Sequence, residues 1–439
     1  MRTALFVMAL GALVACTGRP DLTQVQRSLA PGTAGLQGGR VPSDLADDPF
    51  GLAIARAVLA NPDLDRSAAD IRAARADQKA ADGAFRPDLN VGVSSQSQIT
   101  GGDSDNDVTP FVRVSQLVYD AGAAHADQTG AEARVLESRA RQLEVASSVT
   151  LETVETYQRL ITSRRLLDLA DDNLRVLRGF DEQIRERVRS GAGSTADSLT
   201  ARSRVADAET RRVDAQARLD RARAAFHRLF QEAPGDLPPP MNAPPLPADE
   251  ADVLEQSPRL RSVTAALRAA EADLSAARAR RLPALELGAT GRRDSDGSAD
   301  VGLDLSLNYS LDTRGKLRAA IDAAEARMEA AQAERDMLFR DVREALAFVR
   351  ADQVAGDARV IAARKAAKTN AESVDAAREQ FSIGRRSMVD LLDAQRDYVR
   401  AEETLILAEQ DRFLTDYAAL ALTGDIIDVF AIPLPEVAP

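Results

Sequence analysis

The sequence predicts a mainly helical chain with a small β part, built as two tandem structural repeats. Three observations carry this. First, landmarks recur. Gly191 and Asp197 in "VRSGAGSTADSLTARSRV" match Gly384 and Asp390 in "FSIGRRSMVDLLDAQRDY", each 193 positions on. Pro87 and Pro283 hold matching places in "ANPDLDRSAADIRAARADQKAADGAFRPDLNV" and "QSPRLRSVTAALRAAEADLSAARARRLPALEL", 196 positions apart. Second, apolar residues return every seven positions. Leu392, Val399, Ile406, Phe413 and Leu420 form one seam. Leu160, Leu167 and Leu174 form another, continued by Leu177, Ile184 and Val188. Such spacing packs helices knobs-into-holes. Third, "VGLDLSLNYS" (301–310) alternates apolar and polar residues, the mark of a half-apolar strand.

The elements follow in order. "MRTALFVMALGALVAC" has one basic residue and then an apolar run. The run is too short to span a bilayer as a helix, and it predicts a signal peptide over 1–15. Leu13-Val14-Ala15 before Cys16 resembles a bacterial lipoprotein signal. That resemblance implies cleavage before Cys16 and a covalent lipid, palmitate, on it. No other cofactor and no metal is expected. Thr17 follows, which in lipoproteins favours the outer membrane. Residues 16–48 read as a polar tether rich in Gly and Pro.

Repeat 1 spans 49–232: a helix, strands at about 88–99 and 108–119, a long helix and a returning helix. The tract 233–251 contains seven prolines and reads as an extended linker. Repeat 2 spans 252–424, with strands at about 284–293 and 301–311, then a long and a returning helix. Residues 425–439 read as a short irregular tail. Each long run, at about 70 residues, reaches about 105 Å, deeper than a globular domain. In the strands, Val301, Leu303, Leu305 and Leu307 form an apolar face suited to lipid or, in a soluble alternative, to packing as a small sheet on a core. Asp304, Asn308, Glu286 and Arg113 fall on the polar side, suited to a water-filled lumen. The acidic stretches 100–107 and 294–300 read as turns. Asp103, Asp105 and Asp107 alternate as in a calcium loop but lack its distal Glu.

Composition excludes several classes. Net charge is −12, against nucleic-acid binding. Trp is absent and aromatics make up 4%, as in long helices and coiled coils rather than an enzyme core. Two histidines and one cysteine do not make a zinc site or a Cys–His pair. No phosphate-binding loop with a Lys is present. Asp390 and Asp393 share a helix face. They could serve acid–base chemistry, a charged mouth, or a helix start that favours the dipole. Nothing nearby supplies a nucleophile, so an enzyme is not expected.

The order helix–strand–strand–long helix–turn–helix, twice, resembles the TolC-type outer-membrane efflux family over about 49–424. "GRRSMVDLLDAQRDYVRAEETLILAEQDRFLTDYAALALTG" and "LVYDAGAAHADQTGAEA" carry it most closely. The resemblance implies a homotrimer whose four strands per chain close a 12-stranded barrel in outer-membrane lipid, continuous with a periplasmic 12-helix tunnel. It implies a passive exit duct for efflux or type I secretion. The partners would be a periplasmic adaptor (membrane fusion) protein and an inner-membrane pump of RND or ABC type. It places the tip turns, at Gly191 and at Phe381 and Gly384, at the periplasmic mouth. Asp390 and Asp393 would form a gate ring there, and Arg386 and Asp197 the tip links. Phe381 stands where the family has a tyrosine, and Ala196 where a hydroxyl residue is expected, so one link cannot form as usual. "LDTRGKL" also lacks the usual aromatic and proline. The competing reading is a lipid-tethered periplasmic coiled-coil adaptor or scaffold, which needs the helices but no membrane strands.

Overall fold

The structure, a computed structural model, describes residues 44–434 apart from 101–102, 192, 246–253, 255 and 294–297. Cys16 and the signal segment lie outside the described residues. The packed fold begins inside the expected tether. Leu45 is buried, and Asp48 caps α1 (Pro49–Leu59) by accepting from the Phe50 N–H at 2.8 Å. Gly51 is required there, because a Cβ would sit 1.6 Å from the Leu45 carbonyl oxygen. Asn61 caps α2 (Pro62–Asp82), with Pro62 in its first turn. Prolines at these starts cost no helical hydrogen bond.

Strands β1 (Asp88–Thr100) and β2 (Asp103–Tyr119) follow, then the long α3 (Ala123–Arg189) and the returning α4 (Thr195–Phe230). Repeat 2 gives α5 (Pro258–Ala279), β3 (Ala284–Arg293), β4 (Ala299–Asn308), α6 (Lys316–Ser382) and α7 (Met388–Thr423), with a short α8 (Asp425–Val429). Both long helices have 67 residues, which is about 100 Å each. Each starts beside a glycine at positive φ: Gly122 at 90° and Gly315 at 69°. Asp120 and Asp312 accept from the free N–H groups of the first turns. Those amide bonds hold the Asp312 carboxyl below its ordinary pKa.

The helices stand in four columns: α2 above α4, then α3, then α5 above α7, then α6. The heptad seams face inward, with Leu160, Leu174, Val399, Ile406 and Leu420 buried. The two outer columns expose apolar residues that no described part of the chain covers. On α6, Phe348, Val354 and Ile361 are 61%, 74% and 69% exposed.

Midway along the helices lies an aromatic girdle. Phe50 meets Tyr157 edge-on at 4.9 Å, Tyr417 stacks on Phe430 at 5.8 Å, and Phe226 stacks on Phe230 at 4.0 Å. The proline linker crosses this girdle. The Tyr157 hydroxyl donates to the Pro238 carbonyl at 2.6 Å, and the Tyr417 hydroxyl donates to the Met241 carbonyl at 2.7 Å. One tyrosine comes from each repeat. The expected irregular tail is instead core. Ile426, Ile427, Val429, Phe430 and Ile432 are buried in the same cluster. The run is apolar enough to displace water from the girdle, which a tail read by length alone conceals.

Candidate functional site: sheet face and helical tips

The sheet runs β1-β2-β3-β4, all antiparallel. Its register decides which side chains share a face. Leu305 pairs with Leu287, Leu303 with Ala289, Val112 with Gly291, and Val91 with Val112. Val301, Leu303, Leu305 and Leu307 therefore lie with Leu89, Val91, Val93 and Val112 on one face. Leu303 is 75% exposed. Asp304 pairs with Gly288, Arg113 with Thr290, and Asn308 with Ala284. These residues and Glu286 occupy the opposite face. Arg113 Nε donates to Thr290 Oγ1 at 3.3 Å. Two glycines make room on this face. A Cβ at Gly288 would meet the Asp304 carboxylate at 2.6 Å, and one at Gly92 would meet the Phe111 ring at 2.7 Å.

The strand ends differ from expectation. Asp103–Asp107 are strand, paired with Gln96–Thr100, where an acidic turn was expected. The ladder hydrogen bonds prolong the hairpin beyond the apolar stretch. β4 stops at Asn308, short of 311, because the chain turns there toward the Asp312 cap. A bulge between Leu117 and Tyr119 shifts the register and increases the local twist.

At the far end, both tip turns have one construction. Gly191 and Gly384 take φ 75° and 71°, values that favour glycine. Gly384 and Arg385 donate to the Phe381 and Gln380 carbonyls, closing α6 in a Schellman turn. Ser194 with Asp197, and Ser387 with Asp390, form matching capping boxes on α4 and α7. Asp390 thus serves as the helix start. Asp393 faces Arg396 at 3.0 Å and Arg204 of α4 at 3.7 Å. Among the described residues, no ion pair joins Arg386 to Asp197 within the chain. Asp197 instead accepts from the Ser194 N–H at 3.3 Å.

Sequence reasoning missed the links that join the hairpins, Arg204 to Asp393 among them. Arg187, in the last turn of α3, donates to the Phe381 carbonyl at 3.0 Å and the Ser382 carbonyl at 3.3 Å. Its guanidinium lies 4.2 Å from the Phe381 ring centroid. One side chain thus caps the C-terminus of α6 and covers its last aromatic ring. Phe381 is buried with Ile184, Met388 and Leu391 in a tip core. Deeper in, Gln395 Nε2 donates to Asn173 Oδ1 at 3.1 Å, a buried pair between α7 and α3.

An apolar sheet face above a shaft of about 100 Å is a membrane design without a membrane helix. Among the described residues no helix is long and apolar enough to cross a bilayer. A family profile for outer membrane efflux proteins matches residues 53–230 and 251–424. The chain belongs to the outer membrane efflux protein family. Outer membrane efflux protein BepC of Brucella suis biovar 1 is 25% identical over 391 residues, covering 85% of this chain and 84% of the relative. Protein CyaE of Bordetella pertussis is 26% identical over 408 residues, covering 88% and 86%. A solved membrane protein from Pseudomonas aeruginosa has a TM-score of 0.79 at 21% identity, over 89% of this chain and 97% of that one. The outer membrane protein VceC of Vibrio cholerae has a TM-score of 0.78 at 17% identity, over 85% and 96%. The fold is the TolC-type channel-tunnel, mainly helical with a small antiparallel sheet. This efflux protein is an outer-membrane exit duct. Its family is one of transport channels, not of enzymes, and its members work as trimers with adaptor and inner-membrane pump partners.

Proposed function

We propose that three copies of this chain close their sheets into one 12-stranded barrel. The duct then passes cargo from a periplasmic adaptor and an RND or ABC pump to the outside. One observation carries this: the four-stranded sheet has one apolar face, one polar face and, among the described residues, no strand beyond β1 or β4. Open edges are costly in lipid, and closure with copies removes them. Strands of ten residues, as in β3 and β4, match the length that a tilted barrel strand needs. The exposed apolar residues of α6 support the same ring, because each outer column needs a neighbour.

Cys16 would carry a lipid that anchors the same assembly to the outer membrane. The tips would form the periplasmic mouth. Within each chain Arg187 ties the hairpins. Between copies, Arg386 and Asp197 supply a second attraction. Three copies bring Asp390 and Asp393 together at that mouth. Arg204 and Arg396 offset Asp393, so the uncompensated charge rests mainly on Asp390.

The test is extraction and gel mobility of protein from outer membranes. Trimers that resist extraction and dissociate only on heating support the duct. A monomer released with the periplasmic fraction would support the lipid-tethered scaffold instead.

A further inference from the structure

Four rows of cross-strand partners order the polar sheet face along the strands. Next to the Ala284–Asn308 pair at the helix end, Leu117, Glu286 and Ser306 share a row. Next come Asp88, Ser115, Gly288 and Asp304. Two residues further from the helices are Asn90, Arg113, Thr290 and Gly302, then Gly92, Phe111, Arg292 and Asp300. The two inner rows hold three carboxylates and, among these paired residues, no base. The two outer rows hold two guanidinium groups and one carboxylate, Asp300 at the β4 edge. The levels separate by about 7 Å per row along a strand. A single groove on this face is lined by Arg113, Glu286, Thr290, Arg292, Asp300 and Asp304.

We propose that the lumen within the four-stranded part of the barrel is electrically two-layered: an acidic level of Asp88, Glu286 and Asp304 on the tunnel side, and a basic level of Arg113 and Arg292 on the outer side, below the β1–β2 hairpin that continues through Asp103–Asp107. The proposal rests on the trimeric barrel with its polar face inward. Closure repeats each level three times around a narrow, low-dielectric wall. Such walls focus the field of a charge ring and change local ion concentrations by roughly 10–10³-fold. Within this four-stranded part a small ion of either sign therefore meets one attractive and one repulsive level. The glycines fit this arrangement. Gly288 leaves the space that the Asp304 carboxylate occupies, so the acid lies against the wall rather than across the passage. Arg113 is tethered to the wall by Thr290.

The potential at each level can be read chemically. Single cysteines replace Ser306 at the inner level, Asn90 at the outer level and Leu305 on the apolar face. Protein carrying only the native Cys16 is the blank. Outer-membrane trimers are treated with two water-soluble methanethiosulfonates, one with a trimethylammonium group and one with a sulfonate. The cation-to-anion rate ratio cancels the reactivity of each thiol. At low ionic strength we expect this ratio to be about tenfold or more higher at Ser306→Cys than at Asn90→Cys. The difference should shrink in about 1 M salt. It should also shrink in trimers that add Glu286→Gln with Asp304→Asn, or Arg113→Gln with Arg292→Gln. Equal ratios at the two levels, with Leu305→Cys unreactive, would overturn the layering and leave the barrel standing. Reaction at Leu305→Cys as fast as at the polar positions would overturn the barrel facing, and the layering with it.

Discussion

Arg187→Ala removes the bonds from Arg187 to the end of α6 and leaves the Arg204–Asp393 pair between the two tip hairpins in place, and its effect can be worked from the geometry. The guanidinium sits 4.2 Å from the Phe381 ring centroid, a contact that contributes about 0.5–1 kcal/mol at a half-exposed site. It also donates to the last carbonyls of α6, and a cation at a helix C-terminus contributes about 0.3–1 kcal/mol. Together these give about 1–2 kcal/mol per chain. If the three chains open together, the closed mouth loses about 3–6 kcal/mol, or about 10²–10⁴ in the ratio of open to closed. Single-channel recording of purified trimers in planar bilayers reads this as higher conductance and longer open times. Arg187→Lys keeps the charge but not the planar fork and should fall between. Phe381→Leu keeps the carbonyls and loses the ring, so it should open less than Arg187→Ala. Should Arg187→Ala behave as the parent while Arg386→Ser opens the channel, closure rests between chains and the argument from Arg187 fails.

Leu305→Arg should reduce heat-resistant trimer by a cost of about 2–4 kcal/mol per chain near the bilayer midplane, while Asp304→Asn assembles as the parent does. Equal yields of the two on gels would reverse the assigned faces. Tyr417→Phe leaves the Met241 carbonyl without its buried donor and should cost about 1–2 kcal/mol in urea denaturation, with faster proteolysis between residues 233 and 245. Burial raises the Tyr157 pKa to about 12. The bond to Pro238 should therefore contribute fully below about pH 10 and be lost as pH rises through about 12; melts across that range would detect it. Asp390→Asn with Asp393→Asn should weaken cation preference and block by multivalent cations, and unchanged selectivity would leave Asp390 as a helix cap alone. Cys16→Ser should still reach the outer membrane in part, since the barrel holds it there; wholly soluble protein would count for the scaffold.

Local rules were legible in the sequence, and contacts between distant segments were not. Strict alternation placed Leu303 and Asp304 on opposite faces because a strand has period two. The sevenfold seams predicted α3 and α7 because buried faces repeat with the helix. The helix start at Asp390 was also legible, as a carboxylate that favours the dipole. The start of β2 was hidden because three aspartates in a row of polar residues look like a turn, and only the ladder to β1 makes them strand. The tail was misjudged by its length, although Ile426, Ile427, Val429 and Phe430 are the kind of run that seeks a core. Arg187 gave no local sign. It meets Phe381 across 194 positions, and a helix-end arginine usually serves only its own helix. Its sole hint was the phenylalanine that replaces a hydroxyl at the tip, which left room for some other group to hold the turn.

If three copies close the barrel as proposed, the edges of β1 and β4, unpaired among the described residues, have a consequence for how the molecule is made. A chain that emerges alone has a greasy sheet with two reactive margins, and neither water nor lipid suits it. It cannot wait in the bilayer for its fellows, and it cannot wait in the periplasm with the sheet extended. Assembly must therefore be nearly simultaneous with insertion, at a rate that climbs steeply with the supply of chains. A scarce subunit would be lost to proteases or to the wrong strand long before it met two copies of itself. Anything that gathers nascent chains on one patch of membrane would raise the yield without adding a single contact to the finished duct.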